Sequence, residues 1–205
     1  APTPTPTPEP ATWEKYSYTL LPDGSACVVD CTSIDIILYP PTEMDGHPVT
    51  AIGDWAFRSS DLQQITIPEG VTSIGEAAFA DDYGLTTLRL PATLRTVGRK
   101  AFMSCQILRE LQLPEGLTAM GAGAFFGCSS LKSITVPAGI TAIEEESFSF
   151  CYRLQTVSLP QGLVSIGEEA FSTCTALKTL TIPEGVTSIG DRAFARCRSL
   201  GSIEL

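Results

Sequence analysis

Residues 85–107 read Leu85-Thr-Thr-Leu-Arg-Leu-Pro-Ala-Thr-Leu-Arg-Thr-Val-Gly-Arg-Lys-Ala-Phe-Met-Ser-Cys-Gln-Ile107. Leu85, Leu88 and Leu90 fit an L-x-x-L-x-L strand whose last two leucines point inward at period two. Pro91 ends that strand, because it has no N–H to give to a ladder. Leu94 and Val97 bring the chain back to the core, and Gly98 is expected to permit a tight turn. Ala101, Phe102 and Cys105, at i, i+1 and i+4, would share one face of a short helical turn.

The pattern recurs along the chain. Pro68, Pro91, Pro114, Pro137, Pro160 and Pro183 stand 23 residues apart without a slip, and each is followed eleven residues later by Phe79, Phe102, Phe125, Phe148, Phe171 or Phe194. A fixed period of this length signals a solenoid, since one unit has an apolar inner edge that only its neighbours can cover. The expected fold is an α/β solenoid: a leucine-rich-repeat right-handed superhelix with one parallel concave sheet and short helical turns on the convex side. Seven strands at about 4.8 Å would give a sheet roughly 30 Å long. The first unit, around Asp54-Trp-Ala-Phe57, is one residue short before Leu62 and lacks the proline, as terminal repeats commonly do. Glu144 replaces the turn glycine of one unit, which indicates that the position does not demand a positive φ.

The unit ending Leu180-Thr-Ile-Pro-Glu-Gly-Val-Thr-Ser-Ile-Gly-Asp-Arg-Ala-Phe194 resembles the BspA-like leucine-rich-repeat family. The approach segment does too, through Tyr16-Ser-Tyr-Thr-Leu, Asp23-Gly24, Asp35-Ile-Ile-Leu and Asp45-Gly-His-Pro-Val-Thr-Ala-Ile-Gly53. That resemblance implies a β-rich N-terminal entry and a bacterial surface protein that binds host proteins or takes part in coaggregation. It carries no catalytic residues. The expected organisation is a Thr/Pro-rich linker over residues 1–12, a β-rich N-terminal cap over 13–48 and the solenoid over 49–205.

Composition bounds the remaining readings. The chain has 205 residues, 43% hydrophobic and 18% charged, with a formal net charge of -10. The apolar share is ample for a core, and the negative balance argues against nucleic acid and anionic lipid as partners. No apolar stretch approaches the roughly 20 residues needed to span a bilayer. The opening Ala1-Pro-Thr-Pro-Thr-Pro-Thr-Pro-Glu-Pro10 is expected to form an extended spacer between an anchor and a folded module outside the cell. The sequence contains no asparagine, which removes both N-glycosylation sites and the Asn ladder common in leucine-rich repeats.

Candidate binding residues lie between the strand leucines, where side chains should face solvent on the concave side. They are Arg89, Arg109, Gln112, Lys132, Thr135, Gln155, Ser158, Lys178 and Thr181. The basic members make this face locally positive on an acidic chain. No Trp, Tyr or Phe stands among them, so a solvated sheet face and a ligand surface both remain open. The expected partner is a host protein, a polysaccharide or another bacterial surface component. A structural spacer without a ligand of its own is the alternative, and the exposed C-terminal strand edge could support self-association.

Other constellations point away from chemistry. Cys105, Cys128, Cys151, Cys174 and Cys197 repeat at 23 and should form a ladder of buried free thiols, since stacked positions diverge rather than converge on a metal. Ser60 and Asp82 stand in the same register at the N-terminal end. Cys27 and Cys31 could close a disulfide around a turn or remain free. His47, the only histidine, sits in the turn Asp45-Gly-His-Pro48. Glu144-Glu-Glu146 and Glu168-Glu169 are expected at the starts of the convex helices, where the helix dipole favours negative charge. Leu90-Pro-Ala-Thr-Leu94 resembles a sortase signal but places Leu94 where glycine belongs and at a core position. No catalytic residue, cofactor or metal is expected, and the anticipated location is extracellular and cell-surface associated.

Overall fold

The computed structural model describes residues 15–33 and 35–204. The Thr/Pro-rich linker expected over residues 1–12 lies outside them. The chain winds as a β-solenoid of about eight turns. Each full turn carries a run of tight turns and a second short strand, and all but one carry a first strand.

The first strands follow the L-x-x-L-x-L segments. Gln64–Thr66 pairs in parallel with Ile37–Leu38 and with Thr87–Arg89; Ser133–Thr135 pairs with Thr156–Ser158, and Thr179–Thr181 with Ser202–Glu204. The second strands centre on the apolar residue before the turn glycine: Ser73–Ile74, Thr96–Val97 and Ala119–Met120 form one parallel stack, and Ala142–Ile143, Ser165–Ile166 and Ser188–Ile189 another. The single sheet expected from the sequence is therefore corrected to two strand ladders, one on each of two successive sides of the coil. Val97 and its equivalents Ile74, Met120, Ile143 and Ile166 do return to the core, but as strand residues, while Ile189 at the last coil is exposed. At the N-terminus, Tyr16–Leu20 pairs antiparallel with Ala26–Cys31, which pairs in parallel with His47–Ile52, and that strand leads into Ser73–Ile74. The second ladder thus continues into the entry segment as one sheet.

The third side contains no helix, which corrects both the α/β class and the helical turns. In a helix the N–H of Phe102 would bond within its own segment; instead it donates to the carbonyl of Ala124 in the next coil at 2.9 Å, and Phe79 donates likewise to Ala101 at 2.8 Å. Two positions per unit, four residues apart, are left-handed: Ala77 and Asp81, Lys100 and Ser104, Gly123 and Gly127, Glu146 and Phe150. Each left-handed residue breaks the helical turn and turns its own N–H outward to the following coil. The dipole account of the glutamate runs falls with the helices. Glu146 and Glu169 are themselves left-handed, at φ 55° and 50°.

The apolar spacing that suggested a helix face serves the core all the same. Phe57, Phe79, Phe102, Phe125, Phe148 and Phe171 are fully buried. Their rings stack in a column with centroids 5.1 Å apart at the Phe57–Phe79 end and 5.6 Å at Phe171–Phe194. These spacings suit offset aromatic stacking. Tyr16 closes the N-terminal end of the column edge-on against Phe57.

Glycine before the third side works by proximity. Gly75, Gly98, Gly121, Gly167 and Gly190 do not have positive φ, as the glutamate at 144 indicated. A Cβ on Gly98 would lie 2.6 Å from the backbone carbon of Gly75, and one on Gly121 2.4 Å from the nitrogen of Arg99. The coils touch backbone to backbone there, so the tight-turn role expected for Gly98 is corrected to close approach. Glu144 carries a real Cβ, and the second ladder is open at that step: Ala119–Met120 and Ala142–Ile143 do not pair. A small cleft of about 90 Å³ separates them, lined by residues that include Met120, Thr141 and Glu144.

Candidate functional site

Alternation along the first strands sends the leucine-type residues inward and their neighbours outward. Leu88, Ile134 and Leu180 are buried. All nine residues singled out from the sequence are exposed: Arg89, Arg109, Gln112, Lys132, Thr135, Gln155, Ser158, Lys178 and Thr181. In-register pairing aligns them in columns along the solenoid. Thr135 lies opposite Ser158 on the adjoining strand, and the backbone N–H of Lys132 donates to Arg109 at 3.1 Å while that of Gln155 donates to Lys132 at 2.8 Å. Arg109, Lys132 and Gln155 therefore stand in one row, and Lys178 holds the equivalent repeat position in the next coil, 23 residues on from Gln155. Arg89 and Gln112 belong to the parallel row of Thr135, Ser158 and Thr181. Among the described residues the salt bridges join Lys15 to Asp35, Arg58 to Asp81 and Arg192 to Glu169, so Arg89, Arg109, Lys132 and Lys178 take part in none.

The first ladder is open at two places: residues 109–112 form no strand, so it lapses between Thr87–Arg89 and Ser133–Thr135, and Thr156–Ser158 does not pair with Thr179–Thr181. Two neighbouring depressions open at the lapse around residues 109–112. One, of about 550 Å³, is lined by residues that include Arg89, Glu110, Gln112 and Lys132; the other, of about 840 Å³, by residues that include Gln112, Ser133 and Thr135. The cause is legible in composition. Arg109-Glu-Leu-Gln112 contains no β-branched residue, whereas Gln64–Thr66, Thr87–Arg89, Ser133–Thr135, Thr156–Ser158 and Thr179–Thr181 each contain at least one. Reading strand propensity unit by unit would have located this lapse, which periodicity alone passes over.

The repeating cysteines are free. Cys105, Cys128, Cys151 and Cys174 are buried, and each Sγ–H donates to the carbonyl of the phenylalanine 26 residues earlier, at 3.1 Å to 3.3 Å. Burial pushes the Cys128 thiol up to about 12, so it stays protonated and unreactive at neutral pH. Cys27 and Cys31 are also free, which resolves the two readings against a disulfide.

The polar end of the ladder has a structural cause. Asp82 is fully buried, and its Oδ1 accepts hydrogen bonds from the backbone N–H of Ser60 at 2.8 Å and from Ser60 Oγ at 2.9 Å. The unit before it is the one lacking a residue between Ser60 and Leu62, and the shortened loop turns the Ser60 N–H and hydroxyl inward, the hydroxyl lying also 2.7 Å from the Phe57 carbonyl. A carboxylate meets them where a thiol would not. Its other oxygen, Oδ2, has no partner, and burial drives the Asp82 carboxyl up to about 7.

The turn expected over Asp45–Pro48 is confined to Asp45 and Gly46, both at positive φ; His47 instead opens the strand His47–Ile52, and its Nδ1 is 2.8 Å from the Gly24 carbonyl. Among the described residues no group of His, Cys, Asp and Glu is placed to hold a metal ion, and no helix is long and apolar enough to cross a membrane.

Six copies of the BspA type leucine rich repeat region match the chain, over residues 31–155 and 95–205. The chain belongs to the BspA-type leucine-rich-repeat family. This BspA-type chain is similar to a leucine rich cell surface protein of Faecalibacterium prausnitzii, with 33% identity and a TM-score of 0.89 over 96% of this chain and 54% of that one. It is also similar to a leucine-rich repeat protein from Bacteroides ovatus, with 31% identity and a TM-score of 0.86 over 93% of this chain and 52% of that one. A leucine rich repeat protein of T. pallidum shares 25% identity and a TM-score of 0.68, over 82% of this chain and 91% of that one. The chain spans about half the length of the first two. No curated protein matches it.

Proposed function

We propose that this BspA-type solenoid is a non-enzymatic binding or adhesion module of a bacterial cell surface, which engages its ligand through the face of the first strands. The observation that carries the reading is the set of exposed cations, Arg89, Arg109, Lys132 and Lys178, which form no salt bridge among the described residues and lie along the first-strand side of a chain whose formal net charge is -10. Concentrating one sign of charge on a rigid face costs stability and steers a partner of the opposite sign. Membership in the family and the likeness to a protein named as a leucine rich cell surface protein support an extracellular, surface-associated setting. In this reading residues 1–12 act as the spacer and residues 13–48 as the cap of the solenoid. The ligand is a host protein, a polysaccharide or another bacterial surface component.

Beads coated with the chain are expected to adhere to host cells, extracellular matrix or other bacteria. Replacing the four cations by glutamine should abolish adhesion without changing the circular dichroism spectrum. Beads that never adhere would favour the structural-spacer reading, which the lack of aromatic side chains among the nine candidate residues supports. Adhesion untouched by the fourfold change would place the contact surface elsewhere.

A further inference from the structure

We infer that the row Arg109–Lys132–Gln155–Lys178 is a binding track for a linear acidic polysaccharide carrying carboxylates or sulfates along its backbone. The inference rests on the proposed function and names the ligand class for the same face.

The row is built by the repeat itself. Backbone hydrogen bonds from Lys132 to Arg109 and from Gln155 to Lys132 hold the first three members in stacked register, and Lys178 follows at the same repeat position across a step where the strands do not pair. At about 4.8 Å per step, Arg109 to Lys178 covers roughly 14 Å along the solenoid axis. Such a line of charge, perpendicular to the strands, matches an extended polymer with regularly repeated anions better than a compact ligand. Opposed like charges on neighbouring coils are unfavourable, and Arg109 beside Lys132 has that arrangement with no salt bridge to either among the described residues. Within the rows running from Arg109 and Gln112 to Lys178 and Thr181, Glu110 is the one acidic side chain.

The flanking chemistry favours a glycan over a protein. Protein interfaces concentrate their affinity in aromatic or apolar anchors seated in dry pockets, and the exposed positions of these rows hold none. They hold hydroxyls and amides instead: Ser133, Thr135, Thr156 and Ser158 alongside Gln112 and Gln155. The two depressions at the lapse carry such groups as well, Gln112 and Ser133 in both and Thr135 in one, among apolar residues such as Leu90 and Leu111 and, in the one that Lys132 lines, the Glu110 carboxylate. Such an open trough beside a row of cations suits a sugar ring and its hydroxyls on one side and their acidic substituents on the other.

Calorimetric titration of the whole chain with polygalacturonate and with heparin tests this, with neutral dextran as the blank. Binding of either acidic glycan, weakened by salt and absent for dextran, is expected; the pair also tells carboxylate from sulfate recognition. Lys132→Gln with Lys178→Gln should lower affinity about tenfold and flatten the salt dependence. Arg153→Gln with Arg198→Gln, the same change of charge at exposed positions off the row, should leave it unchanged. Lys132→Gln alone should also raise the melting temperature of the free protein by about 1–2 °C, as relief of like-charge crowding requires. No binding to either glycan, equal losses in the two double variants, or equal binding of polyglutamate or DNA of matched charge would overturn the inference. Bead adhesion that depends on the four cations while both glycans fail would sink the glycan track and leave the broader function standing.

Discussion

Asp82 should make this solenoid less stable as pH rises through neutrality. Its carboxyl is fully buried, accepts hydrogen bonds from Ser60 at one oxygen and has no partner at the other. Burial raises its pKa from 3.8 to about 7, with the Ser60 hydrogen bonds acting in the opposite direction. A raised folded-state pKa means that the native protein holds this proton more tightly than the unfolded chain does. The group therefore costs nothing below about pH 4, its cost grows between pH 4 and 7, and it is fully expressed above. The interval corresponds to about 4 kcal/mol at most, and relaxation around the site should bring it to about 2–4 kcal/mol. Asp82→Asn keeps an acceptor for Ser60 and removes the charge. Urea unfolding of both proteins from pH 5 to pH 8 should show wild-type stability falling relative to the variant by about 1–3 kcal/mol, the part of that cost that develops above pH 5. Asp23 and Asp35, whose exposed carboxyls are held below their usual range by Ser25 and by Lys15, act in the opposite sense only at more acidic pH, and they act equally in both proteins. Parallel stability curves for wild type and Asp82→Asn across this range would refute the account of the buried carboxylate.

Two further predictions concern the backbone. At the left-handed positions of the third side, Gly127→Ala meets only ordinary contact, with Ser104 atoms no nearer than 3.7 Å, so its cost of about 1 kcal/mol should come from φ. Ser104→Gly, the reverse change one coil earlier, should gain about 0.5–1 kcal/mol by thermal unfolding, and a loss there would contradict the conformational argument. Glu144→Gly should let the second ladder close across the gap beside Ala119–Met120. Hydrogen exchange should then show the amides of Thr141 and position 144 slowing to match Val164 and Gly167, which are bonded in the next coil; no change in protection would mean that the glutamate is not what holds the ladder open.

Much of this architecture is written in spacing. Six prolines and six phenylalanines in strict register require equivalent coils, and equivalent coils require the aromatic column, the thiol ladder and the outward rows of polar side chains. The nine exposed candidates were legible for that reason: on a strand, alternation with buried leucines decides which way a side chain points. The lapse at Arg109–Gln112 was legible too, through missing β-branched residues, though periodicity hides it.

What spacing could not decide is where the backbone hydrogen bonds go. Ala101, Phe102 and Cys105 have the same apolar spacing whether the N–H of Phe102 bonds within a helical turn or across to the next coil; in the structure Ala101 and Cys105 bond back to Gly98 and Phe102, while Phe102 bonds across to Ala124. Only the neighbouring coil, close enough to offer its carbonyls, selects the second arrangement. Left-handed Lys100 and Ser104 carry no mark in the sequence, and only Gly123 and Gly127, one coil on, hint at what the position demands. Asp82 is the same case in side-chain form. Its residue type was visible, but its role depends on a missing residue in the adjoining loop and on donors that meet it only once the coils are stacked. The sequence by itself determined which residues repeat and which face inward; the stacked structure decided how each coil satisfies its neighbour, because those bonds exist only between segments some 23 residues apart.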